Sequence, residues 1–164
     1  MKKTAEASLP LEVLGMFRII FKSANKHFES IENAVGVSGA QLWALAEVAN
    51  TGGLTISQIS ARMALHQSTT SNLLDKLETK GLIERRRSRE DRRVVTVHAT
   101  PLGEQALAKA PGPFIGILPD ALMRMPPEQL ESLRSSMSVL LNLLELKFET
   151  ANKEPLGTPI KLQD

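Results

Sequence analysis

Between residues 10 and 35, apolar side chains recur at Val13, Met16, Phe17, Ile20, Phe21, Ala24, Phe28 and Ile31. That is helical spacing, and the stripe is wider than one small neighbour needs. Pro10 suits a first turn and Gly36 a stop, so a helix is predicted there, with residues 1–9 frayed. Ser38 with Gln41 forms a capping box that opens a second helix through Asn50, and Thr51-Gly52-Gly53 breaks it. Thr55 and Gln58 repeat the box, and Ile56, Ile59 and Met63 give the next helix, about two turns long, one buried face. After a break at 64–66, Leu73, Leu74 and Leu77 point inward along a further helix that Gly81 ends. Small polar residues, Ser68, Thr69, Thr70 and Asn72, fill its N-terminal half.

A short helix, a tight turn and a longer helix with a polar beginning make the helix-turn-helix pattern, whose second helix enters the DNA major groove. Leu82-Ile83 and Val94, Val95 and Val97 then read as two strands joined by a loop centred on 88–91. Six arginines, at 85, 86, 87, 89, 92 and 93, lie in or beside this hairpin. So small a ribbon has no core that needs them, whereas guanidinium groups bind phosphate or enter a narrow minor groove. The hairpin is therefore expected to be a wing beside the recognition helix.

Thr100-Pro101 is an N-cap followed by a first-turn proline, so a fifth helix starts there. Pro111, Gly112, Pro113, Gly116 and Pro119 must interrupt it; a break near 110–113 is expected, with helix resuming over 114–125. The last helix begins near Pro126-Pro127 and carries Leu130, Leu133, Met137, Leu140, Leu141, Leu144 and Phe148, with Val139, Leu143 and Leu146 on a second face. Two apolar faces on a terminal helix exceed what one chain of this size can cover, which points to a two-fold homodimer in which both chain ends interlock. The tail over 152–164 reads as an arm or as disordered.

Net charge over 164 residues is only +2, but residues 55–100 hold nine Lys or Arg against five Asp or Glu, while the rest holds eleven against thirteen. The positive charge is confined to the proposed reading unit, as contact with a polyanion requires; a basic coat for membranes would be spread more widely. There is no cysteine, which excludes disulfides, thiolate metal sites and thiol switches. No apolar run approaches a membrane span and the first residues lack the apolar core of a signal peptide, so a cytoplasmic location is expected. The histidines, His27, His66 and His98, are scattered, and no phosphate loop, nucleophile elbow or Ser/His/Asp ordering occurs. Neither an enzyme nor a metal or other cofactor is expected.

The helix pair, the run Leu77-Glu-Thr-Lys-Gly-Leu-Ile-Glu-Arg85 and Asp91-Arg-Arg93, followed after five residues by Ala99-Thr100, together resemble the MarR family of winged-helix transcription regulators. Two positions depart from the pattern: Asn72 stands where many relatives carry arginine, and Ala99 replaces a leucine. The resemblance implies a homodimer on a pseudo-palindromic operator, released by a small, often aromatic anion or by oxidation.

The expected fold is mainly α: a winged helix-turn-helix DNA-binding lobe over 38–99, a helical dimerisation domain built from both chain ends over 10–36 and 100–150, and flexible or arm-like termini at 1–9 and 151–164. Candidate base contacts are Ser68, Thr69, Thr70 and Asn72; Gln67, Ser71 and Lys76 are candidates for phosphate or base, and Arg89, Arg92 and Arg93 for the wing. Asp91 is expected to orient a neighbouring arginine. Phe17, Phe21, Trp43 and Phe114 read either as simply core or as the lining of an apolar effector pocket between the first, second and fifth helices, with Arg18 or Lys22 at its rim. The rival readings are a winged helix that binds only proteins, which has no need of the arginines, and an enzyme at a dimer interface, for which no acid/base pair is present.

Overall fold

A computed structural model describes residues 2–156 apart from Arg89, Glu90, Arg92 and Leu146, with side chains from Ser8 onward. It contains helices α1 (Lys2–Val35), α2 (Gly39–Thr51), α3 (Ile56–Met63) and α4 (Gln67–Thr79), strands β1 (Ile83–Arg87) and β2 (Val95–Ala99), and helices α5 (Pro101–Lys109), α6 (Ile117–Arg124) and α7 (Pro127–Leu143). A 3-10 turn, Glu149–Lys153, follows. The fold is mostly helical with one two-stranded antiparallel sheet, the winged-helix arrangement expected.

Both capping boxes form. The Ser38 hydroxyl accepts from the Gln41 amide at 3.3 Å while the Ser38 amide donates to the Gln41 side chain at 2.9 Å, and Thr55 and Gln58 repeat the exchange at 3.3 and 2.9 Å. α2 is the pillar of the lobe. Its Leu42, Ala44, Leu45 and Val48 are buried against Ile59 and Met63 of α3, Leu74 and Leu77 of α4, and Ile83 and Val97 of the sheet. Burying each large aliphatic chain here stabilises the lobe by about 1.5–3 kcal/mol. Leu54 joins the sheet through a pair of backbone bonds with Val97, at 3.2 and 2.8 Å, a third short rung that the sequence pattern does not suggest.

Between α3 and α4 the chain turns tightly at Ala64, a left-handed residue (φ 53°), and the Leu65 amide closes back onto the Ser60 carbonyl at 3.0 Å. Gly81, also left-handed (φ 70°), ends α4 as expected. Thr100 locks the next junction: its hydroxyl donates to the Gly81 carbonyl at 2.6 Å and accepts from the Gly103 amide at 3.1 Å, and its own amide reaches the Leu82 carbonyl at 3.1 Å. The start of α5 is thereby fastened to the end of α4.

Four expectations need correction. The first helix starts at Lys2, not near Pro10, and Pro10 lies inside it. The interruption after α5 runs through Gly116, so helix resumes at Ile117 rather than 114. α7 stops at Leu143, leaving Leu144 and Phe148 beyond it. The tail does not stand away from the body: the Lys153 carbonyl accepts the His66 amide at 3.3 Å, although residues 157–164 fall outside the described set.

The apolar surplus at the chain ends is present in three dimensions. Of the α1 stripe only Ala24 and Ile31 are buried, while Val13, Met16, Ile20 and Phe21 are exposed. α7 buries none of its residues and has no substantial packing against another element. No described helix is long and apolar enough to cross a membrane.

Candidate nucleic-acid interface

α4 presents two faces with different chemistry. Thr70, Leu74 and Leu77, at four and three spacing, are completely buried. On the other side Ser68, Asn72 and Lys76, each four residues apart, are exposed and have no partner among the described residues. Thr69 and Ser71 flank that row half-buried, and Gln67 donates to the Ser57 hydroxyl, joining the first turns of α3 and α4. Thr70 is therefore corrected: it is not a base contact, because its hydroxyl donates to the His66 carbonyl at 3.1 Å within the lobe. A threonine can be buried in a helix when it bonds back to the carbonyl one turn earlier.

The arginines of the hairpin divide by role. Strands pair from Ile83 with Ala99 to Arg87 with Val95, and the tip is closed by Ser88 N–H to Val94 O and Val94 N–H to Asp91 O, both 2.9 Å. Arg85 faces inward across the lobe, donating to Asp75 at 2.6 Å and to Glu78 on α4. Its bond to Asp75, with both carboxylates nearby, raises the guanidinium pKa above its ordinary value. Arg85 thus cancels an acidic charge on the recognition helix and braces wing to helix. Arg86 pairs with Glu84 of its own strand, while Arg87 is exposed with no partner among the described residues.

Arg93 is 92% exposed, and Asp91 orients it: the Asp91 carboxylate accepts the Arg93 backbone amide at 2.9 Å and its Nε at 3.2 Å. These bonds, the backbone one first, hold the Asp91 carboxyl below its ordinary range. A depressed pKa means that the arrangement persists through neutral and mildly acid pH and is lost only as pH falls through that lowered value. Arg89 and Arg92, the other wing candidates, lie outside the described residues.

The candidate effector pocket is not assembled in the protomer. Phe17 and Phe21 stack on each other, ring centroids 6.5 Å apart, and with Arg18 and Lys22 they sit on the part of α1 that buries no side chain. Phe114 packs onto the core of the lobe. Trp43 lines a cavity that none of the other candidates shares, and the α1 ring there is Phe28, two turns beyond Phe21. Four apolar residues at helical spacing look alike whether a partner helix or a ligand covers them, so periodicity could not separate Phe21 from Phe28.

The sequence model of the MarR family matches residues 35–94, from the end of α1 to the tip of the wing, just before β2. An HTH-type transcriptional regulator of Bacillus subtilis, YfiV, is 31% identical over 116 residues, covering 66% of this chain and 68% of its own length. The chain belongs to the MarR family. Another relative, the B. subtilis HTH-type transcriptional repressor MdtR, is 33% identical over 102 residues, 62% of this chain and 65% of its own. The chain spans 65%, 53% and 48% of the lengths of the first three curated relatives. Among solved structures, the YusO protein of B. subtilis superposes with a TM-score of 0.53 at 26% identity, over 88% of this chain and 99% of that one. Membership agrees with the geometry: the matched segment carries α2, α3, α4 and the first strand and tip of the wing.

Because Arg85 in this MarR-family lobe braces the wing against α4 while Arg93, held by Asp91, is exposed at the wing tip, their substitutions should differ in kind. Arg93→Ala should weaken duplex binding and flatten its salt dependence by about one counterion. Arg85→Met should weaken binding with the slope of log K against log salt unchanged. Fluorescence anisotropy on a labelled duplex at four salt concentrations makes the comparison.

Proposed function

We propose that the protein is a cytoplasmic, homodimeric, sequence-specific DNA-binding transcription regulator, a repressor rather than an enzyme, acting on a pseudo-palindromic operator. The observation that carries this reading is the row Ser68, Asn72 and Lys76, polar and unpaired among the described residues, on a helix whose opposite face is fixed in the core. Side chains of this size on a rigid helix read base edges when the helix lies in the major groove. Ser68 and Asn72 take the base edges, with Thr69 beside them; Gln67, Ser71 and Lys76 hold phosphate or base, and Arg93, with Arg89 and Arg92, the neighbouring backbone or minor groove. The unburied apolar faces of α1 and α7 support pairing of two protomers, which sets two copies of α4 about 34 Å apart, one turn of DNA.

A protein-interaction module would not need an exposed guanidinium such as Arg93 held in place by its neighbour Asp91. Selection of bound sequences from a random duplex pool tests the assignment. Wild type should enrich a two-fold motif, Asn72→Ala should relax selectivity at particular base pairs by about 1–3 kcal/mol, and Thr70→Val should leave the motif unaltered. No enrichment by wild type would remove the reading.

A further inference from the structure

In the major groove adenine presents its N6 amino donor beside the N7 acceptor, and the amide of Asn or Gln matches both at once. α4 carries two such amides, Gln67 and Asn72, and no arginine. Gln67 has its amide nitrogen committed to the Ser57 hydroxyl. Asn72 stands exposed in the middle of the row from Ser68 to Lys76, with no partner among the described residues. We infer that Asn72 commits each half-site to an adenine, held through N6 and N7, and that methylation of this adenine at N6 weakens binding.

The other groups of α4 cannot make that choice. The Ser68 hydroxyl both gives and takes a hydrogen bond and so suits any base. Lys76 is a point charge that takes phosphate or a guanine edge alike. A cytosine amino group needs a carboxylate, and both carboxylates of α4, Asp75 and Glu78, are held by Arg85. Without a guanidinium on the helix, the two-bond arginine contact with guanine is missing as well. The amide is also well anchored, because Thr70, Leu74 and Leu77 on the opposite face of α4 are completely buried. An N6-methyl group leaves base pairing intact but replaces the hydrogen that the Asn72 carbonyl accepts. The inference rests on the DNA-reading function proposed above.

The full-length protein and Asn72→Ala are each used to select sequences from a random duplex pool. Alanine at this exposed helical position keeps the fold, being the better helix former. The position that loses selectivity in the variant should be an A·T pair. Synthetic operators then carry adenine, 7-deazaadenine or N6-methyladenine at that position in one half-site. By fluorescence anisotropy, wild type should bind either modified duplex about tenfold more weakly than the unmodified one, and Asn72→Ala should bind all three alike. 7-Deazaadenine lacks only the N7 acceptor and still pairs with thymine, so a contact from Asn72 to phosphate would not register it. No position that loses selectivity in Asn72→Ala, a base pair other than A·T there, wild-type affinity unchanged by either modification, or equal losses in both proteins would each overturn the inference and leave the DNA-reading function standing. Failure of wild type to select any motif would remove both.

Discussion

Gly103→Ala should lower the melting temperature by roughly 6–12 °C, although alanine is the better helix former. The reason is a steric conflict with backbone. A Cβ at Gly103 would stand 2.1 Å from the Leu82 carbonyl oxygen and 3.1 Å from Leu45 Cδ1. The Leu82 carbonyl cannot retreat, because it already accepts the Thr100 amide in the junction that fastens α5 to the end of α4. The helix must shift instead, breaking that junction, and overpacking of this kind costs about 3 kcal/mol, each kcal/mol being worth about 2–4 °C in a chain of this length. Gly15→Ala on α1 is the control. Nothing lies within 4 Å of its Cβ, so alanine there should stabilise by roughly 0.5–1 kcal/mol. Thermal unfolding followed by circular dichroism separates the two signs; equal shifts would mean that α5 is not clamped to Leu82.

Much of the lobe was legible because its signals are local. Ser38 with Gln41, Thr55 with Gln58, and Thr100 before Pro101 each mark a helix start through bonds made within four residues, and all three form. Asp91 beside Arg93 was likewise readable, since the contact spans two residues. What was not legible depends on distant segments or on degenerate periodicity. Leu54 becomes a rung of the sheet only because Val97 arrives from forty-three residues away. Arg85 reads as one more wing cation until the fold sets it between Asp75 and Glu78. Thr70 reads as a base contact by its chemistry, although its spacing to Leu74 and Leu77 already places it on the buried face. Pro10 suits a first turn, yet α1 carries it inside the helix, where proline removes one backbone bond and clashes with the preceding turn, so its preference for first turns did not fix where α1 begins. The docking of Lys153 onto His66 carries no local signal at all.

The proposed pairing of protomers should fail in the double variant Val139→Asp with Leu143→Asp, and the proposed specific DNA binding should fail with it. These residues are four apart on α7, and their exposures of 62% and 75% show that neither supports the fold of its own protomer. Carboxylates there cost the isolated chain little, but buried between two copies they would be unpaired charges that must be desolvated together. Sedimentation should therefore give a folded monomer with unchanged helix content. A monomer can engage only one half-site, and without the second contact held nearby the affinity for a full operator should fall by about 10²–10⁴-fold while binding to an isolated half-site stays near its wild-type value. The contrast between full and half sites is the decisive reading. Equal losses on both would place Val139 and Leu143 in the lobe's own stability, and a surviving dimer would move the interface to the exposed α1 stripe of Val13, Met16 and Ile20.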